Sequence, residues 1–356
     1  NVGRDEIKSL KEGDATIRVT AETAGALLRR PKAAEASVTL PVYLKPPPLG
    51  RTSTRTYVNQ GGCEVVVYTV GERSVKDGVQ AGEYFFPGYP LPGGGERDRF
   101  ALFAVPYDMD DAGSVRLFAE DLVGNRSETR IIDQFTRKPP KKDTIRISDG
   151  FMEKVVPAIL ANTPEMEDQG DLLKNYLAIN GDLRAKNAAV LQGLVASTAE
   201  EFLWNRKFVA LPNAAARSAF ADRRTYTYNG QAVDYQDHLG YDLASVRNAP
   251  IPAANDGVVL MARYLGIYGN VVVIDHGYGL MSLYGHLASI GVAEGQQVGR
   301  GDAIGTTGET GLAGGDHLHF TMMLHGLPVD PKEWWDAHWL QDRLASKLGP
   351  ALNFRD

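Results

Sequence analysis

The chain has 356 residues, enough for two or three domains at roughly 100–200 residues each. Apolar residues make up 43% and charged residues 23%, a globular balance that excludes a disordered chain. The net charge of −6 argues against a nucleic-acid partner, because neutralising phosphates needs clustered Lys and Arg. No apolar run approaches the ~18 residues that a membrane-spanning helix requires. The chain opens on Asn1 rather than Met, so an upstream segment, a signal peptide or membrane anchor, is expected to have been removed.

Residues 1–143 read as short strands separated by turn chemistry. Alternation runs through Ala15–Ala21 and Ala36–Tyr43, and further strands are expected at Cys63–Val70, Phe100–Val105 and Val115–Asp121. Pro46-Pro47-Pro48 and Gly93-Gly94-Gly95 mark loops. This pattern predicts a β-sandwich, and Val115–Asn125 resembles the late strand and turn of immunoglobulin-like bacterial modules. Cys63 is the single cysteine, which excludes an intramolecular disulfide; opening an apolar run, it reads as a buried strand position. Asp108–Gly113 lacks the third oxygen ligand and the final Glu of an EF-hand loop.

Pro139-Pro140-Lys141-Lys142 reads as a linker into a helical segment over 144–205. Ser148-Asp149 predicts a capped helix through Phe151–Leu160, bent or ended at Pro157. Leu172, Leu173, Tyr176 and Leu177 have helical spacing, followed by a break at Asn180-Gly181 and a further helix through Ala188–Val195. The segment reads as a spacer packed on its neighbours. From 206 to 335 the chain turns glycine-rich, with strands expected at Val258–Ala262, Asn270–Ile274, Met281–Tyr284 and His319–Met323, which predicts an antiparallel all-β domain. Residues 336–356 read as a helical tail.

Six of the seven histidines fall between 238 and 325. His317 and His319, two apart on a strand, share a face, and His238 and Asp242 also share one. Catalytic zinc commonly takes three N/O ligands and keeps a fourth position open; His238, Asp242 and one of the two strand histidines supply such a set. The helical His-Glu-x-x-His motif is absent. Glu333–His338 superficially matches half of a D-Ala carboxypeptidase site, but His238 and Asp242 stand too close together for the other half. His276, His325 and His338 read as structural, and Asp316 as either an orienting partner of a neighbouring imidazole or a solvated carboxylate.

His238-x-x-x-Asp242, Tyr284-Gly285-His286-Leu287 and His317-x-His319 resemble, in order and spacing, the lysostaphin-like (LytM-type) zinc metallopeptidases of bacterial cell walls. Asn270–Gly277 and Gly301–Gly308 agree with this, and the resemblance covers roughly 215–335. It implies Zn2+ held by His238, Asp242 and His319, with His286 and His317 as catalytic histidines and His317 favoured as the base. It further implies peptidoglycan peptides as substrate and a periplasmic or exported protein, anchored to the membrane if the upstream segment is an anchor. A non-catalytic cell-wall-binding regulator of amidases is the alternative, although such relatives have typically lost metal ligands. Some relatives hold an upstream segment across the groove, so Trp204-Asn205-Arg206 or Leu211-Pro212-Asn213 is expected to bring a polar side chain to the open position. In that arrangement residues 1–205 would restrain activity.

Overall fold

In the computed structural model the described residues are 7–23 and 32–355. The alternation near the start produces two ten-residue strands, Gly13–Glu22 and Ala33–Val42, paired antiparallel from Gly13 opposite Val42 to Glu22 opposite Ala33. They do not join the sandwich that their pattern predicts. Each pairs only with the other, and Ile17, Val19, Val38 and Leu40 stand exposed on one face of the hairpin.

The sandwich is built from the next strands. One antiparallel sheet runs in the order Leu49–Arg51, Cys63–Val70, Asp98–Ala104, Tyr89–Pro90; the other runs Arg126–Arg130, Arg116–Asp121, Ser74–Ala81, Tyr84–Pro87. Val65, Val79, Phe86, Phe100, Phe103 and Leu117 fill the core with almost no exposure, and Cys63 is buried as its run predicts. Asp110 pairs with Arg137 and Asp111 caps the short turn Ala112–Ser114, so these carboxylates serve the loop.

Helix α1 spans Asp149–Ala161, with Ser148 Oγ accepting from the Phe151 amide. Pro157 neither ends it nor lies in its packed face: the residue is exposed, so the carbonyl one turn earlier faces water rather than an apolar core. Helix α2, Leu172–Ala178, does not break at Asn180-Gly181. A wide turn over Ile179–Leu183 carries it directly into α3, Arg184–Gly193. Met152, Val155, Val156, Ile159, Tyr176, Ile179 and Leu183 form a core of their own with Tyr226 and Ile267. The strand Lys142–Arg146 fastens this segment by pairing parallel with Asp222–Tyr228, Lys142 lying opposite Arg223.

The last part of the chain forms an antiparallel sheet in the order Ala215–Ser218, Tyr241–Ala244, Leu318–Leu324, Leu280–Leu287, Asn270–Asp275, Gly257–Tyr264, Gln297–Val298, with Leu327–Val329 also pairing on Leu318–Leu324. Its core is continuous with that of the sandwich: the Tyr278 ring lies tilted 4.8 Å from Tyr89 and edge-on 4.9 Å from Phe100. Polar ties cross the same joint. Glu333 accepts from the Cys63 amide at 2.7 Å and the Asn59 side chain at 3.0 Å, and Lys347 in the helical tail pairs with fully buried Glu64 at 2.8 Å.

Candidate metal centre

Strand register assembles the site. The strand Gln231–His238 ends on His238; Leu239-Gly240 turns the chain, and the strand Tyr241–Ala244 follows. Pairing of that strand with Leu318–Leu324 sets Asp242 opposite His319, while Leu280–Leu287 on the other side sets Gly285 opposite the same histidine. The turn needs its glycine. A Cβ on Gly240 would lie 2.6 Å from Thr321 Oγ1, 2.7 Å from the Phe320 carbonyl and 2.8 Å from His319 Cε1, all inside contact distance.

His238, Asp242 and His319 form, among the described residues, the one group of three His, Cys, Asp or Glu residues whose ligand atoms converge, all within 4.8 Å of one another. Hydrogen bonds fix which atoms face inward. His238 Nδ1 lies 3.0 Å from the Ala219 carbonyl and must donate to it, so Nε2 carries a lone pair. Thr321 Oγ1 donates to the Leu239 carbonyl and therefore accepts from His319 Nε2 at 3.1 Å, which leaves the lone pair on Nδ1. Arg224 donates to Asp242 Oδ2 at 2.9 Å, leaving Oδ1 turned inward. His238 Nε2 then lies 3.1 Å from His319 Nδ1 and 2.9 Å from Asp242 Oδ1, which is itself 3.0 Å from His319 Nδ1. Three lone pairs at such distances repel unless a cation lies between them. Two neutral imidazoles and a carboxylate, each with its outer atom hydrogen-bonded, is a donor set that fits a divalent zinc-type ion.

Electrostatics agree with that fit. Burial pushes His319 down to about 4, against the pull of Asp242, so its imidazole is neutral at pH 7. Burial opposes ionisation of Asp242 too, but attraction to His238 and hydrogen bonding with His238, His317 and His319 outweigh it and hold the carboxyl well below the usual carboxylate range, so the carboxylate is the form that positive charge among the three ligand atoms favours.

His286 and His317 complete the cluster. His286 has φ 66°, a left-handed conformation uncommon for a non-glycine residue, inside a bulge where Asn270 faces Leu287 but Val272 faces Tyr284. The bulge re-aims His286 into the cavity, whereas Tyr284, two residues earlier, points the other way: its hydroxyl accepts from the Ala254 amide in the core. Simple alternation would have put both on one face. His286 Nδ1 contacts the Thr310 carbonyl and His317 Nδ1 the Gly315 carbonyl, each at 2.8 Å, so both rings present Nε2 as the free atom. The rings lie 4.8 Å apart, and His317 Nε2 is 3.6 Å from Asp242 Oδ1. Burial, then the two other histidines, keeps His286 neutral. His317 feels burial as well, but Asp242 prevails and raises it.

The cluster opens onto a cavity of about 1020 Å³. Its floor is the long antiparallel sheet, α3 and Tyr176 lie along another side, and Tyr84, Tyr107 and Asp108 of the sandwich reach its rim. None of Trp204, Asn205, Arg206, Leu211, Pro212 or Asn213 lines it. Trp204 is buried between Phe208 and Trp334, and Arg206 pairs with Asp256, so the expected contact of this stretch with the open position is not made.

The remaining candidates are placed elsewhere. His276 is buried between the Asp256 carbonyl and Ser282. His325 occupies the turn before Gly326 at φ 48°, and exposed His338 pairs with Asp342. Asp316 orients no imidazole: it accepts from Thr307 Oγ1 and the Asn248 amide, joining two loops. Sequence reasoning missed Thr321 and Arg224. Thr321 carries a findable signal, since it shares the strand face of His319 two residues away; Arg224 has none, because only sheet packing brings it to Asp242.

The geometry defines a class: an antiparallel β domain whose strands converge a His–Asp–His metal-type group beside two further histidines. Residues 236–331 match the sequence model of peptidase family M23, and this part of the chain is an M23 peptidase domain. It is similar to the peptidoglycan DD-endopeptidase ShyA of Vibrio cholerae, 44% identical over 93 residues, 26% of this chain and 22% of ShyA. It is also similar to the DD-carboxypeptidase/endopeptidase Mpg of Neisseria meningitidis, 42% identical over 94 residues, with 26% and 22% covered. The chain thus spans about a fifth of the length of these curated relatives. Among solved structures, a zinc-containing peptidase from Vibrio cholerae is 35% identical, covering 37% of this chain and 40% of that one, with a TM-score of 0.32.

Proposed function

We propose that the chain is a zinc-dependent endopeptidase that hydrolyses amide bonds in the peptide part of peptidoglycan, acting outside the cytoplasm as a periplasmic or exported protein. His238, Asp242 and His319 hold the metal; His286 and His317 move protons. The observation that carries this reading is the convergence of three lone pairs whose outer atoms are all fixed by hydrogen bonds. Zinc bound there supplies polarisation of the scissile carbonyl and a lowered pKa for the attacking water. The chain's own groups do the rest. Arg224 holds Asp242 oriented through its bond to Oδ2. His317 takes the proton at Nε2, where the Asp242 charge 3.6 Å away stabilises the imidazolium that forms. His286 presents its Nε2 across the same space as the second proton carrier, held there by the Thr310 carbonyl.

Incubating purified sacculi with zinc-loaded protein and analysing the fragments by mass spectrometry tests the reading. Hydrolysed stem peptides or cross-links are expected. Intact peptides in the presence of stoichiometric zinc would reject it in favour of a wall-binding regulator.

A further inference from the structure

The helical segment contributes a cation to the cavity. Arg184 opens α3, lines the same cavity as the His–Asp–His group, and has no carboxylate within ion-pairing distance among the described residues. Its guanidinium is nonetheless held. Nε donates to the Asn180 carbonyl at 3.0 Å and Nη2 to Asn180 Oδ1 at 2.5 Å, while fully buried Asn180 is fixed by donating to Asp234 at 2.6 Å. Nη1 has no hydrogen-bond partner among the described residues. Asn180 lies in the wide turn Ile179–Leu183, a geometry found mostly as single turns inside helices and frequently at functional sites. The Arg184 charge acts on Tyr176 and Tyr268, and the Tyr268 ring stands 5.6 Å from His319. An arginine so pre-oriented retains a free donor edge for planar recognition of a carboxylate. Among the charged residues lining the cavity, Glu83 and Asp108 lie on the sandwich and Asp237 is bonded to Tyr107 beside them, all repelling an anion, whereas Arg146 belongs with Arg184 to the helical segment, which gives the cavity one favourable end for it.

We propose that Arg184 is a specificity-determining residue that binds a free carboxylate of the peptide substrate beside the reacting amide, an assignment that rests on the peptidase reading for its setting. The carboxylate is either the peptide's C-terminus or one carried on a branch within it; both offer the same planar anion.

The test uses a fluorescein-labelled stem-type pentapeptide in three forms: carboxylates free, C-terminus amidated, and internal carboxylate amidated. Binding to the full chain is read by anisotropy after chelator treatment, so nothing is cleaved, and kcat/KM is then measured on the zinc-loaded chain. One amidation is expected to weaken binding by about ten- to a hundred-fold, the scale of a lost hydrogen bond to a charged group. Which amidation does so identifies the source. Arg184→Gln abolishes the difference between forms at unchanged zinc content, and Arg184→Lys, which keeps the charge without the fork, retains part of it. Equal affinity of the wild-type chain for all three forms would overturn the proposal, as would a preference that survives in Arg184→Gln. A zinc-loaded chain that discriminates the forms but cleaves none removes the peptidase reading and leaves the carboxylate site standing.

Discussion

The floor and the helical side of the cavity are built on different principles. The floor is sheet: Leu280–Leu287 and Leu318–Leu324 are entirely buried, and Asp242 and His319 take their places from a register fixed by pairing on both sides. On the helical side, α1, α2 and the wide turn pack a core of their own, fastened by the parallel strand Lys142–Arg146 and by the Asn180–Asp234 bond, while Leu191 of α3 joins the core of the sheet. Arg184 on that side is positioned by its hydrogen bonds to Asn180 and by a wide turn rather than by a ladder. The proposed chemistry thus falls on the sheet and the proposed selection on the helical side, in keeping with the precision that ligand convergence demands.

That contrast can be broken or sharpened by substitution, judged first by loss of hydrolysis. His238→Ala or Asp242→Ala removes one of three ligands and is expected to abolish both bound zinc and hydrolysis; unchanged zinc by elemental analysis in both variants would end the ligand assignment. His286→Ala and His317→Ala are expected to retain zinc and lose ~10²-fold or more in hydrolysis, the scale of acid–base groups. Near-normal turnover removes the proton-carrying role, and lost metal moves the residue among the ligands. Thr321→Val leaves the His319 Nε2 proton without its acceptor and is expected to weaken zinc by roughly 10–100-fold in a chelator competition, the usual cost of losing a partner behind a ligand.

The smallest effect on hydrolysis is expected at the joint. Burial pushes the Glu333 carboxyl up to about 7, above its ordinary 4.5. The folded state therefore holds a proton there that the unfolded chain releases, so this contribution is full below pH 4.5 and is lost as pH rises to 7. Glu333→Gln is expected to leave hydrolysis unchanged while flattening the decline in stability between pH 5 and 7.5, measured by urea unfolding. An unaltered decline would show that Glu333 stays ionised in its contact with Cys63 and Asn59.

The sequence disclosed the floor far better than its surroundings. Cys63–Val70 begins and ends where its apolar run does, and strands cover Met281–Tyr284 and His319–Met323 as alternation and glycine turns predict, the first running on to carry His286, whereas no pattern predicts the short strand Tyr241–Ala244 that carries Asp242. Local pattern fails where tertiary pairing decides. Ala15–Ala21 alternates as a half-buried strand does, yet nothing among the described residues covers its apolar face. Asn180-Gly181 carries the composition of a break, but burial of Ile179 and Leu183 on one apolar core keeps the helix going through a wider turn. Arg184 and Arg224 could not be singled out, because a lone arginine acquires meaning only from what the fold sets in front of it.

The parallel pairing of Lys142 with Arg223 has a consequence in time. Eighty-one positions separate the two residues (223 − 142), and a contact so distant along the chain forms late, after the entropy of closing that loop has been overcome. As the chain leaves the ribosome, Lys142–Arg146 and the helices behind it emerge long before the strand that must receive them, and their apolar core waits for Tyr226 and Ile267. During synthesis the helices are therefore tenants without an address, settled only once Asp222–Tyr228 and Ile267 are in place.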